Sequence, residues 1–490
     1  MDILSDIKKA FLKLSFQNKY CLILLTAMVC YLPLMQGYVN SHDEIWTILV
    51  TQLPFKEMMN TIITDDGNPP LFYLYERLWN IDGEQLNLFW ARCANLSILF
   101  LTSLLGLFPI RRLFGDTVAL LFCVLIFAMP PTFVLSTNIR GYALSGFLLC
   151  GVFVYSLCLA YNKKTSDWFW LILFSALCPY NHYLCGLWEL LIWTSLAAAM
   201  IIKKNWTDIA KLFGCGVAVC LLYAPWLIVF IRQYGSMKNF WYPSMYYVEK
   251  TSLGFLLNFE SYSFWALATG AFCWSLIFQT ASDRKRKALD SVAIWHFLFV
   301  NLSFYFITMM ICIFARPMMT NRYLLPFLPM FYLSTALALK HFSKFAKILL
   351  LFLLPAIFVA YNNARDLSGD KTFGNLREYV TANAGAKSLI VTDDSTGHLI
   401  AEYYLAEYDN ILALKKPEII LFQQKTIKDM AKSANLEQYD SIFSISGIIQ
   451  DCDKTFKPVF QNGICIKKLS AQNAREMIEK SQKIIEYSYH

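Results

Sequence analysis

Of the 490 residues in this chain, 57% are hydrophobic, 16% aromatic and only 16% charged, and mean hydropathy is +0.43. Soluble domains carry about 25% charge, so this composition, gathered in long apolar blocks, excludes a soluble globular protein and predicts a polytopic helical membrane protein. The net charge of +8 reads as a positive-inside excess in the loops between spans, not as a nucleic-acid footprint.

Taken in chain order, about eleven apolar segments are long enough to span a bilayer. Lys8, Lys9, Lys13 and Lys19 precede the first, 20–36, and place the N-terminus in the cytoplasm. No small-residue cleavage site follows it, so this span is expected to remain as an anchor. An outer loop, 37–89, leads to the second span, 90–110, which ends at Arg111 and Arg112. The third, 117–135, exits to Asn138–Tyr142, and the fourth, 142–161, returns to Lys163 and Lys164. Spans over 168–180 and 183–202 form a hairpin whose outer turn is PYNHY and whose inner end is Lys203 and Lys204. Spans over 212–231 and 254–279 bracket an aromatic outer loop and end at Arg284–Lys287. The last three, 291–314, 323–339 and 346–361, enclose an outer ARPMMTNR and an inner group of Lys340, Lys344 and Lys347. Every predicted inner connection is basic, whereas the first outer loop is acid-rich, and a miscount of one span would scramble that alternation.

From about residue 365 the composition becomes that of a soluble domain. TFGNLREYVTANAG reads as a helix, and SLIVT, ILAL, IILF, SIFSIS and GICIKKL read as short strands. The predicted fold class is mainly α, a polytopic membrane domain over 1–364 with a small extracytoplasmic α/β domain over 365–490. Asp393, Asp394 and His398 follow SLIVT at a strand C-terminus, where open α/β sheets bind ligands; a turn with a helix N-cap is the simpler account of the two acids. Cys452 and Cys465 are a disulfide candidate. The remaining cysteines, mostly inside apolar runs, behave as small hydrophobes.

The chemistry-bearing residues concentrate in the first outer loop. Asp43 and Glu44 stand where the chain leaves the membrane. They are either a solvated pair at the N-terminus of the helix IWTILVTQL or a carboxylate base held at the membrane surface. Asp65, Asp66, Gly67 and Asn68 precede Pro69–Pro70, a polar turn by composition and a site wall by position. Arg140 and Arg322 fall at predicted outer ends of spans, where they either snorkel or pair with an anion. His182 sits on the outer hairpin turn, as a structural group or a ligand contact. Arg92 serves helix packing or the interface. Glu189, inside a span, must face protein or water.

HDEIWTILV and DDGNPPLFYLYERLW resemble the first outer loop of GT-C membrane glycosyltransferases, closest to the group of protein O-mannosyltransferases and lipid A aminoarabinose transferase. NIRGYAL, YNHYLCGL and NRYLLPFLP resemble later family motifs in the expected order, over about residues 20–340. The resemblance implies inverting transfer of a sugar from a polyprenyl-phosphate donor to an acceptor hydroxyl on lipid A, a glycan or a protein. The site would lie at the outer face of the cytoplasmic (inner) membrane. It implies Asp43 as base with Glu44 orienting. Asp65, Asp66, Asn68, Arg140, Tyr142, His182, Arg322 and Tyr323 would line the donor and acceptor site. Asp43 and Asp66 are the candidate ligands of a divalent cation, Mg or Mn. The competing reading is a transporter or flippase of a lipid-linked or anionic substrate; acids gathered in an outer loop, with no repeated halves, argue for the enzyme.

Overall fold

The computed structural model describes residues 13–36, 42–64, 66–79, 88–236, 284–315, 321–340, 379–385, 387–392, 411–413, 436–446 and 465–476. Its main helices are α1 (Phe16–Tyr31), α2 (His42–Gln52), α3 (Phe55–Thr64), α4 (Leu71–Arg77), α5 (Leu88–Leu105), α6 (Asp116–Ala128), α7 (Pro130–Thr137), α8 (Tyr142–Tyr161), α9 (Thr165–Asn181), α10 (Tyr183–Ile202), α11 (Trp206–Ser236), α12 (Arg284–Phe314) and α13 (Leu328–Lys340). Among the described residues seven helices are long and apolar enough to cross a membrane, or eight if the bent pair α6–α7 is one span. Spans expected at 254–279 and 346–361 lie outside the described residues. The chain divides into two units: 1–35, 66–79 and 89–365 form one, and 36–65, 80–88 and 366–490 form the other.

In the first unit α8 is the central helix, with 89% of its apolar window buried, whereas α11 buries only 6%. Gly151 is why α8 and α9 lie so close: a Cβ there would stand 2.4 Å from the Phe174 ring. The Tyr31 hydroxyl donates to Phe127 O at 2.8 Å, fastening α1 to α6. One expected span is broken. Met129 adopts an extended backbone before Pro130–Pro131, and the helix axis turns by 67°. A residue preceding proline is pushed out of the helical region, so a straight span over 117–135 is not available. The seventh span is longer than expected, running through α11 from Trp206 to Ser236.

The basic residues expected at inner loops meet aspartates at one end of the bundle. Arg112 pairs with Asp167 at 2.7 Å and Lys163 with Asp208 at 2.6 Å, each bridging two connections. Lys340 pairs with Asp290 at 2.9 Å. α12 runs antiparallel to α10, through Trp188–Asn301 and Ser195–His296, which brings Asp290 to that same end. Asp167 is 1% exposed, so removing its cation leaves a buried charge uncompensated. Arg112→Ala is expected to cost about 3 kcal/mol. Arg111→Ala, which opens only the exposed pair with Asp116, is expected to cost less than about 1 kcal/mol. Thermal unfolding in detergent, run on both variants, would show the contrast; equal effects would refute it.

In the second unit, β1 (Ser388–Thr392), β2 (Ile411–Ala413), β3 (Ser441–Ser446) and β4 (Cys465–Leu469) form one sheet in the order β2-β1-β3-β4. β1 pairs in parallel with β2 and β3, and β3 antiparallel with β4. Leu389, Ile390 and Val391 are all buried, as a parallel central strand covered on both faces requires. Four of the five predicted strands are thus present. IILF, Asp393, Asp394, His398 and Cys452 lie outside the described residues. α2 and α3 belong to this unit as well.

Candidate active site

A single turn, Asn138–Tyr142, presents Arg140 at the end of the bundle opposite the basic pairs. Two side chains of α5 anchor it: Arg92 Nε donates to Thr137 O at 3.2 Å and Asn95 Nδ2 to Asn138 O at 2.6 Å. Arg92 is therefore engaged in helix packing. The turn closes with Arg140 N donating to Asn138 O and Tyr142 N to Arg140 O.

Facing Arg140 is the Asp66–Arg77 segment. Asp66 is buried, and its carboxylate is occupied by its own turn. Oδ1 accepts from Asn68 N at 2.9 Å and from Asn68 Nδ2 at 2.8 Å, and Oδ2 accepts from the Tyr73 hydroxyl. Pro69 and Pro70 lead directly into α4, which places Tyr73 back over the turn. Tyr73 lies within hydrogen-bonding reach of Arg140, and burial together with the Asp66 charge holds its hydroxyl well above the ordinary range. Tyr73 was not singled out by the sequence. Its signal is its place one helical turn beyond the Pro-Pro pair. Glu76, one turn further on, is not a solvated loop acid: it is fully buried, and burial raises its carboxyl well above the ordinary range.

Asn68, Pro69, Phe72, Tyr73, Arg140 and Gly141 share a cleft of about 20 Å³ with Tyr142, Asn181 and His182. His182 caps α10, accepting from Leu184 N through Nδ1 at 3.2 Å, which leaves the proton of a neutral ring on Nε2. Its ring lies 6.1 Å from Tyr142 and 5.4 Å from Tyr323, and Arg322 stands 5.6 Å over the Tyr323 ring. Burial first, then the Arg140 and Arg322 charges, push His182 down to about 4. A histidine held below its ordinary value stays neutral when folded but takes up a proton on unfolding. Its contribution to stability is therefore complete above about pH 6.5 and lost as pH falls toward 4. His182→Gln is expected to flatten the fall of the melting temperature across that window; an unchanged slope would contradict the assignment.

The structure thus brings together Asp66, Asn68, Arg140, Tyr142, His182, Arg322 and Tyr323. Asp43 and Glu44 occupy the first turn of α2 in the second unit, Asp43 half-buried and Glu44 fully buried. Neither is free of interactions. Glu44 is accordingly not part of a solvated capping pair. Asp65 lies outside the described residues. Glu189, on α10, is buried within reach of the Ser175 hydroxyl, so it faces protein. Among the described residues no group of three His, Cys, Asp or Glu is placed to hold a metal ion. The donors of its own turn already fill most of the Asp66 carboxylate, a poor fit to the expected cation ligand.

A bundle with a broken third span and an arginine-bearing turn at one end, in a chain that also carries a small α/β unit, is a polytopic membrane architecture. No family model matches the chain, and no curated protein matches it. Among solved structures it is similar to ArnT (lipid A aminoarabinose transferase) from Cupriavidus metallidurans in the apo state. The TM-score is 0.58 at 12% identity, over 92% of this chain and 98% of that one. The same protein bound to undecaprenyl phosphate gives a TM-score of 0.57 at 12% identity, over 91% and 97%. An oligosaccharyltransferase from Archaeoglobus fulgidus aligns at a TM-score of 0.45 and 13% identity, over 87% and 67%. The chain has the GT-C fold.

Proposed function

We propose that this chain is an inverting glycosyltransferase that moves a sugar from a polyprenyl-phosphate donor to an acceptor hydroxyl at the outer face of the cytoplasmic membrane. The observation that carries the reading is the Arg140 cleft, where a guanidinium and a neutral histidine converge at the bundle end opposite the basic pairs. A positive-inside assignment puts those pairs in the cytoplasm and the cleft outside. The similarity to ArnT bound to undecaprenyl phosphate supports a lipid-phosphate donor.

On this reading Asp43 takes the proton of the acceptor hydroxyl as its oxygen attacks the anomeric carbon. The bond from that carbon to the phosphate oxygen breaks in the same displacement, inverting the centre and releasing polyprenyl phosphate. Arg140 and Arg322 neutralise the charge that accumulates on the departing phosphate. Glu44 orients Asp43. Asp66 and Asn68 hold the turn that shapes the cleft, Tyr142 and His182 line it, and the Tyr323 ring lies near both; Asp65 is assigned to the same site. No step is routed through a divalent cation, because Asp66 does not fit the ligand set. By composition residues 1–364 make up the membrane catalytic domain and 365–490 an extracytoplasmic one, while in the fold 36–65 and 80–88 group with the latter.

The test is to incubate protein in lipid with a panel of polyprenyl-phosphate sugars and a membrane extract as acceptor source. Mass spectrometry then follows free polyprenyl phosphate and glycosylated product. Release coupled to transfer supports the reading. Transbilayer movement of a lipid-linked substrate without consumption of any donor would replace it with the flippase.

A further inference from the structure

Asn181 closes α9 beside His182; the residue is only 3% exposed and lines the cleft. Its Nδ2 donates to Gly141 O at 2.7 Å and to Ser145 Oγ at 2.7 Å. That orientation is fixed by chemistry, because the flipped amide would set two carbonyl oxygens against each other at Gly141. The remaining atom, Oδ1, is buried and has no hydrogen-bond partner among the described residues. It sits 3.3 Å from where a Gly141 Cβ would stand, so the missing side chain of Gly141 is what leaves the amide its space. A buried acceptor with no partner calls for an explanation, and since Asn181 lines the cleft, a ligand donor is one group that can supply the missing bond. The cleft's free volume, about 20 Å³, suits one hydroxyl or amine and not a sugar ring.

We infer that Asn181 Oδ1 accepts a hydrogen bond from one hydroxyl or amine of the transferred sugar, making Asn181 a specificity-determining residue of the donor site. The inference rests on the glycosyltransferase reading: Arg140 and His182 share this cleft, and the sugar is joined directly to the phosphate that Arg140 faces. Neighbouring His182 offers a donor where Asn181 offers an acceptor, and a hydroxyl is a group that satisfies both. A site built to hydrogen-bond a substrate hydroxyl rejects the analogue that lacks it, because its own polar atom is then left unpaired.

The experiment uses the full chain in lipid nanodiscs and needs no turnover. Binding of a short-chain polyprenyl-phosphate hexose, its monodeoxy analogues and the bare polyprenyl phosphate is titrated on wild type, Asn181→Ala and Ser145→Ala. Wild type should prefer the parent over one monodeoxy analogue by roughly tenfold, the scale of one neutral hydrogen bond to a buried acceptor. Asn181→Ala should bind that pair alike while keeping wild-type affinity for bare polyprenyl phosphate. Ser145→Ala loosens the same amide without removing Oδ1, so it should keep the preference. The inference is overturned if Asn181→Ala retains the preference, if Ser145→Ala loses it equally, or if no hydroxyl matters to wild type. Wild type that binds no lipid-phosphate sugar would bring down the functional reading itself, and this inference with it.

Discussion

Asp43→Asn is expected to leave a folded protein that still binds donor but has lost transfer by about 10²–10⁴-fold, the range attributable to one general base. Asparagine matches the size of aspartate and can still accept hydrogen bonds, so the first turn of α2 should survive the change. Asp43 is half-buried, a setting in which a carboxylate can meet an incoming hydroxyl. Glu44 is fully buried, which suits a group that orients its neighbour. Glu44→Gln should therefore lower turnover less than Asp43→Asn does. Product formation at saturating donor, with melting temperature as the folding control, would decide it. Retained turnover in Asp43→Asn removes that residue as base.

The second large effect is expected at Arg140. Truncating one partner of a buried, hydrogen-bonded charge pair typically costs about 2–5 kcal/mol. Arg140→Ala should therefore weaken binding of bare polyprenyl phosphate by at least roughly thirtyfold. Arg140→Lys should recover only part of that, since an ammonium restores charge but not the planar fork that matches a phosphate. Titration with polyprenyl phosphate at two ionic strengths reads both variants. If Arg140 merely snorkels toward an interface, neither substitution will move the affinity. The bonds from Arg92 and Asn95 to the preceding backbone hold the turn without the Arg140 side chain, and the melting temperature of Arg140→Ala checks that they do.

The spans were legible because burial in lipid demands about twenty consecutive apolar residues, a requirement written locally in the chain. α8 occupies the predicted 142–161, and α10 the predicted 183–202. The strands SLIVT and SIFSIS were legible for the same kind of reason, as short β-branched runs between polar turns. Basic residues at one set of connections were also readable, but their pairing with Asp167, Asp208 and Asp290 was not. Each pair joins segments far apart in the chain.

Composition and order determined that this chain crosses a membrane many times, that an acidic segment follows its first span, and that its C-terminal part carries a small sheet. Whether a given polar side chain faces a ligand or its own backbone was decided only in three dimensions. Asp66, read from the sequence as shaping a site, holds its own turn: its oxygens accept from Asn68 and Tyr73. Asn181, passed over beside the more conspicuous His182, lines the cleft and keeps a buried acceptor with no partner among the described residues. The reason is packing: Gly151 lets the Phe174 ring close on α8, and at the far end of that helix pair Gly141 lets the Asn181 amide lie against the Arg140 turn. Hydrophobic periodicity selects which residues enter the membrane, but the meeting of two glycine gaps with two side chains depends on the register between helices.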